Sequence, residues 1–421
     1  MKIITLVISS LTLFGAYSHA ASTGSAVEVN ASNLRSLLES KSARISAASL
    51  EVEAARAYRG SFGRSFLPDV EIYGQQENFK KGQLDQKTQP AYGAQATLNL
   101  FNGGRDLLLS DQYDLQIQQK SYQFRRVQAE ELEKARSLYW NILYSQQRIS
   151  LLESTQQVNA QNLRAADRRI QSGVATDSDR VLFQMKGVEL EQDLAQAKVQ
   201  LTSDKRDLAI ILGYDNEVDL SFPQALDHEH DFEKALEHSA ADHEFLYKEN
   251  ALLSEVKGLE AKRQTRSWVP KLDAYAAYNQ YNQRQEDPAD AKDRTESVVG
   301  VKLTLSLQNL FNSQREARSL RQEALSASTL ADLQRKEVEN HISNEIASLR
   351  LLHDQVHAAE ENISRAEKYY KLSQSEYARG VKNSPDVLGA AEKLYDIRNR
   401  HLEIIRDFQL AKSHVLSKIG K

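Results

Sequence analysis

The residues of this chain best suited to bind an ion are its acids and imidazoles. Asp227-His228-Glu229-His230-Asp231 alternates the two types, and His238, Asp242 and His243 follow close behind. On a polar connecting segment such histidines are expected to be solvated, so no metal is assigned to them. His353 and His357 stand four residues apart, which puts both imidazoles on one face of a helix, within reach of a shared ion. His353 also falls on a heptad position, where a hydrogen-bonded seam residue is the expectation. Gly60-Ser61-Phe62-Gly63 and Asn102-Gly103-Gly104 are too short to cradle phosphates, and the second reads as a strand-to-helix corner. No Ser-His-Asp, zinc-protease or phosphate-loop pattern is present. Neither a cofactor nor a catalytic role is expected.

Acids and bases also gather at two sharp turns. The stretch from Tyr377 through Arg379, Gly380, Val381 and Lys382 to Asp386 separates two helical runs. Gly380 is placed to stop the first run in the left-handed conformation, which costs glycine nothing. Ser384 is expected to cap the next helix, with Pro385 where its missing N–H is harmless and Asp386 at the positive end of the dipole. An earlier copy runs from Ile170 through Gly173 and Val174 to Asp179 and Arg180. Both have a Gly-Val step and an acid six residues after the glycine. A plain turn between helices accounts for either one, and the recurrence asks for more.

Composition narrows the class. Lys2, the apolar stretch Ile3 to Phe14 and the small-x-small site Ser18-His19-Ala20 read as a secretory signal over residues 1–20, too short to span a bilayer. The net charge is −4, so nucleic acid is not an expected partner. The chain has no cysteine, so its stability in an oxidising compartment must come from packing or assembly, and a lipid-anchored start is not expected. Six prolines in 421 residues, none inside the two longest helical runs, indicate unusually long helices.

Those helices and the strands before them occur twice, offset by roughly 200 residues. Phe66-Leu67-Pro68-Asp69 through Tyr73 matches Trp268-Val269-Pro270-Lys271 through Tyr275, and Leu98 to Asn102 matches Leu307 to Asn312. The first repeat covers 21–225 and the second 226–421. Each has an opening helix (Ser32 to Arg59; Phe232 to Thr265), then a strand pair (about 68–101; about 270–308). A long helix follows (Gly104 to Ser172; Ser313 to Arg379), then a tip turn near 173 or 380 and a return helix (Ser178 to Leu212; Pro385 to Ile419). Tyr92, Ala94, Ala96, Leu98 and Leu100 alternate with polar residues, as do Val299, Val301, Leu303, Leu305 and Leu307. The polar loops Lys80 to Gln89 and Asn282 to Glu296 join the pairs. Heptads run through Leu132, Ala135, Tyr139, Ile142 and Ile149, and through Ile342, Ile346, Leu349, Val356, Ile363 and Tyr370. A return helix covers only half of its long partner, and a short opening helix stacked end to end would cover the rest.

Strands of about ten residues with one apolar face fit a membrane barrel or a half-buried soluble sheet equally. If they span a membrane, four per chain cannot close, and several chains must share one barrel to leave no edge in lipid. Twelve or more strands leave a water-filled lumen.

With this doubled plan, the chain resembles the TolC-like outer-membrane efflux protein family over its whole mature length, about 25–421. The carrying features are the Pro68 and Pro270 strand starts, the Leu-Phe-Asn junctions and the tips, above all Tyr377, Gly380, Lys382 and Asp386-Val387-Leu388. The resemblance implies a mainly α chain with β: a long antiparallel α-helical barrel continuing from a shared transmembrane β-barrel. It implies a homotrimer in outer-membrane lipid that extends into the periplasm and works with a periplasmic adaptor and an inner-membrane pump of RND or ABC type, in tripartite efflux or type I secretion. It makes the tip region a closed periplasmic entrance, with Asp386 and Asp179 as its acids and Tyr377, Lys382, Arg379 and Arg180 as candidates to hold it shut. Gly173-Val174 and Gly380-Val381 would dock the adaptor. Two positions depart from the family pattern: Gly389 replaces a second acid found in some members, and Lys382 stands where others have arginine, a more directional partner. The rival readings are a trimeric coiled-coil surface fibre or adhesin with a barrel anchor, and a soluble periplasmic helical adaptor.

Overall fold

Residues 27–63, 67–79, 87–215, 218–228, 244–284 and 292–420 are described by the structure, a computed structural model. The expected signal sequence, Phe66 and the stretch holding Glu229, His230, Asp231, His238, Asp242 and His243 lie outside them.

Alternation dictates the sheet. Strands β2 (Asp69–Phe79), β3 (Lys87–Phe101), β5 (Lys271–Arg284) and β6 (Lys292–Thr304) form one antiparallel sheet in the order β2-β3-β5-β6. The two repeats therefore meet at the β3–β5 pairing, with Ala96 opposite Ala276. Register puts Val70, Ile72, Ala94, Ala96, Leu98, Ala274, Ala276, Val299, Val301 and Leu303 on a single face. Among the described residues nothing covers its most exposed members: Ile72 is 87% and Val299 86% exposed. The opposite face carries Tyr73, Gln95, Thr97, Asn99, Asp273 and Lys302. There the Tyr73 hydroxyl donates to Asn279 Oδ1, and Asn99 Nδ2 donates to Asp273 Oδ1 at 3.0 Å.

Each repeat lays a tyrosine over a glycine of the neighbouring strand on this polar face, Tyr73 over Gly93 and Tyr275 over Gly300. A Cβ on Gly93 would lie 2.6 Å from the Tyr73 ring. The strands outrun the expected loops, since β3 begins at Lys87 and β6 at Lys292.

The long helices follow from their heptads and the absence of proline. Helix α3 (Arg105–Gln171) has 67 residues and α6 (Leu307–Ala378) has 72, so each rod is roughly 100 Å long. Helix α3 packs against α4 (Asp177–Ile211) towards the tip and against α2 (Ala43–Phe62) near the sheet. Helix α6 packs likewise on α7 (Ser384–Lys418) and α5 (Lys248–Thr265). Ion pairs mark the stacked halves: Arg59 with Asp114 at 2.9 Å, Lys120 with Glu51 at 2.9 Å and Lys257 with Glu323 at 3.2 Å. Long rods covered by short helices end to end are what the unequal lengths required.

Three expectations need correction. The first opening helix is broken at Ser42 into α1 (Leu34–Lys41) and α2. Leu305 and Leu307 are not strand residues, because β6 ends at Thr304 and α6 starts at Leu307, its N-cap Ser306 accepting from the Asn309 N–H. Leu310-Phe311-Asn312 thus sits inside a helix, whereas Leu100-Phe101-Asn102 ends a strand before Gly103 and Gly104, both left-handed with φ 76° and 69°. A serine cap permits a direct start that the Gly-Gly corner does not. No helix among the described residues is long and apolar enough to cross a membrane.

The largest core lies at mid-rod. There β1 (Val27–Glu28) pairs in parallel with β4 (Leu220–Ser221), tying the N-terminal segment to the inter-repeat connection. Leu34, Tyr139, Ile142, Leu212 and Phe222 are buried around that bridge. The heptad positions Leu349, Val356 and Tyr370 are also buried.

Candidate functional site at the helical tips

Both tips share one backbone turn. At the first, Gly173 N–H donates to Ile170 O and Val174 N–H to Arg169 O, each at 2.9 Å. At the second, Gly380 N–H donates to Tyr377 O at 3.0 Å and Val381 N–H to Glu376 O at 2.9 Å. This pair of bonds is a Schellman stop, and it needs a left-handed residue at the glycine; φ is 74° at Gly173 and 79° at Gly380. The next residues, Val174 and Val381, are 62% and 72% exposed. A Cβ added at either glycine meets nothing within 4 Å.

Three residues past each glycine comes an N-cap, and three later an acid. Thr176 caps α4, and its N–H donates to Asp179 Oδ2 at 2.9 Å. Asn383 caps α7 through a bond from the Asp386 N–H at 3.1 Å, and its own N–H donates to Asp386 Oδ2 at 3.1 Å. The two acids thus close reciprocal capping boxes. Asn383, not Ser384, is the cap. Ser384 occupies the first helical turn, is buried, and exchanges a 3.0 Å bond with the Tyr377 hydroxyl. Asn383 wins because its position matches that of Thr176 and its amide oxygen reaches the N–H of Asp386. The Asp179 carboxyl is held below the usual carboxylate range, chiefly by the Thr176 N–H and further by Ser384 and the Arg169 charge.

The bases hold neighbours other than Asp386. Lys382 Nζ pairs with Glu376 at 3.1 Å, donates to Ser373 Oγ at 2.9 Å and lies 5.1 Å over the Tyr369 ring. The Glu376 contact raises its pKa. Arg180 binds Asp167 at 2.8 Å and Asp177 at 2.9 Å. Arg379 is exposed at the end of α6. Within one chain Lys382 is thus tied back to the last turns of α6, and Arg180 bridges α3 and the first turn of α4.

Arg169 is the residue the sequence reading missed. Its guanidinium lies 4.3 Å over the Tyr377 ring and donates to the Tyr377 carbonyl, joining the first repeat's tip to the second's. It stands four residues before Gly173, where the second copy has Glu376 four residues before Gly380. That swap of charge between matched positions was the available signal. Beneath it, Tyr370, Tyr377, Val387 and Ala390 form a small core with Val158 and Ala165 of α3.

A second cluster forms at mid-rod from residues that the sequence kept apart. His228, on the connection, meets His353 and His357 of α6, with potential ligand atoms all within 4.8 Å of one another.

A family model described as outer membrane efflux protein matches residues 34–214 and 257–419. The fold is similar to that of VceC from Vibrio cholerae, at 12% identity and a TM-score of 0.77 over 93% of this chain and 96% of that one. The Campylobacter jejuni CmeC outer membrane channel aligns at 13% identity and TM-score 0.77, over 100% and 93% of the two chains. The outer-membrane channel OprN aligns at 14% identity and TM-score 0.76, over 93% and 89%. No curated protein sequence matches the chain.

Proposed function

The chain belongs to the outer membrane efflux protein family, and from that premise we propose that three copies share one β-barrel and form a passive exit duct from the periplasm through the outer membrane. The observation that carries this reading is the four-stranded sheet, apolar and exposed on one face, polar on the other and, among the described residues, unpaired along the outer edges of β2 and β6. An open edge in lipid leaves backbone groups unsatisfied at several kcal/mol each. Joining β6 of one copy to β2 of the next removes every edge, and twelve strands leave an aqueous lumen lined by the polar face. The rods of α3 and α6 then continue the wall into the periplasm for roughly 100 Å.

The duct does no chemistry of its own. Export is driven by an inner-membrane pump of RND or ABC type, coupled through a periplasmic adaptor that docks on Gly173-Val174 and Gly380-Val381. Asp179 and Asp386, repeated by three-fold symmetry, ring the narrow end as its gate. Each capping bond uses one carboxylate oxygen and leaves the group's charge in place, so capping and gating are compatible. In the trimer Arg379, Lys382 and Arg180 bring positive charge to the same end.

Mass measurement of the detergent-solubilised protein tests the assembly. A trimer is the expected species; a stable monomer or dimer would remove the shared barrel.

A further inference from the structure

We propose that His228, His353 and His357 form a binding site for one borderline transition-metal cation per chain, of the class of Zn²⁺, Co²⁺ or Ni²⁺, clipping the inter-repeat connection to the second long helix. The three come from two separate parts of the fold. His353 and His357 project from successive turns of α6, with ring centroids 4.8 Å apart. His228 arrives from the connection, 5.9 and 5.3 Å from the two rings. It is held there from both sides: Gln147 of α3 donates to the Leu226 carbonyl at 3.3 Å, and Gln409 of α7 donates to the Asp227 carbonyl. The Phe408 ring closes the cluster, 6.4 Å from His228 and 6.0 Å from His353.

Imidazole donors select this class of cation over calcium or magnesium, which take oxygen ligands. Metal–nitrogen bonds of about 2.0–2.1 Å would require each ring to close in by only about 1 Å. Each histidine also has a carboxylate on its Nδ1 side: Asp227 at 3.6 Å, Asp354 at 4.0 Å and Glu360 at 3.3 Å. Of these only Glu360 lies within hydrogen-bond range; accepting from His357 Nδ1, it would leave the Nε2 of that ring for the metal, the usual outer support of a histidine ligand. The Nε2 atoms of His228 and His353 are buried. His357 is the more exposed of the three and leaves a coordination position for water. The site would fasten the inter-repeat connection to α6 at mid-rod, where no disulfide is available.

The test uses the detergent-purified full-length protein, stripped with chelator and titrated with Co²⁺ and then Zn²⁺. Calorimetry should give one ion per chain, and Co²⁺ should develop the visible absorption of a low-symmetry nitrogen site. His357→Ala, at an exposed position that folding does not require, should weaken binding by about 10-fold or more, as should the conservative His353→Gln. His401→Ala, which changes a nearby histidine outside the trio, should bind as wild type. Zn²⁺ should raise the thermal midpoint of the wild-type protein and not that of His357→Ala. Failure of the wild type to bind either ion, or unchanged binding in a folded His353→Gln/His357→Ala protein, would overturn the assignment.

Discussion

Asp179 and Asp386 hold the same place in two copies of one turn, each the acid of a capping box, and that local role is visible in a single chain. The gate role adds a distinct expectation. Asp386→Ala loses the capping contact and should cost the helix start about 0.5–1 kcal/mol. It should also weaken block by divalent cations added on the periplasmic side and reduce cation selectivity; a variant blocked like wild type would restrict Asp386 to capping. Arg169→Ala removes a stacked guanidinium and a bond to the Tyr377 carbonyl. The expected loss is about 1–2 kcal/mol, seen as roughly 5- to 30-fold faster amide exchange at Val174 and Val381. Asp179 titrates below its ordinary range. Its contribution to the tip should therefore be complete above about pH 4 and fade as pH falls through the depressed value. Asp179→Asn should abolish that acid dependence. The acids and glycines of the tips were legible because turn chemistry is local. The partners of Lys382 and Arg180 were not, since sequence spacing does not single out Glu376 and Asp167 among the nearby acids.

Helix ends and seams behave as units. Helix α7 finishes in a charged seam, where His414 lies between Glu133 of α3 and Glu345 of α6, and Lys418 reaches the same Glu345 at 2.6 Å. The bond to Glu133 raises the His414 pKa, outweighing the opposing effect of burial and the Lys418 charge. Stability from this contact is complete below the unfolded value of about 6.5 and is lost as pH rises through the higher folded value. Thermal midpoints taken across that range should fall for wild type and less steeply for His414→Gln. At the tips, Gly380→Trp has open space around it but must adopt positive φ. It should insert and assemble yet lose export, while normal export would remove the docking role of the tips. The long helices were legible from heptads and missing prolines. The break at Ser42 was not, because no proline or glycine marks it, and the start of α6 at Leu307 was not, because a serine cap inside an apolar alternation reads as one more strand residue.

The doubled plan is the property of the whole molecule that was easiest to read, and the sheet shows what it is for. Each repeat supplies one strand pair, the pairs join at β3–β5, and the outer edges are left for neighbouring copies. The Tyr73–Gly93 and Tyr275–Gly300 pairs escaped the sequence because cross-strand register is not encoded in the spacing of one strand. The mid-rod histidines escaped for a similar reason: 125 positions of chain, including a whole strand pair, separate His228 from His353. The central claim is that these chains enclose a water-filled path through a membrane. Single-channel recording of the purified protein in a planar bilayer tests it most directly. The trimeric fraction should give discrete, cation-selective conductance steps, with larger openings in Arg169→Ala; a trimer that inserts and passes no current under any applied voltage would rule such a path out.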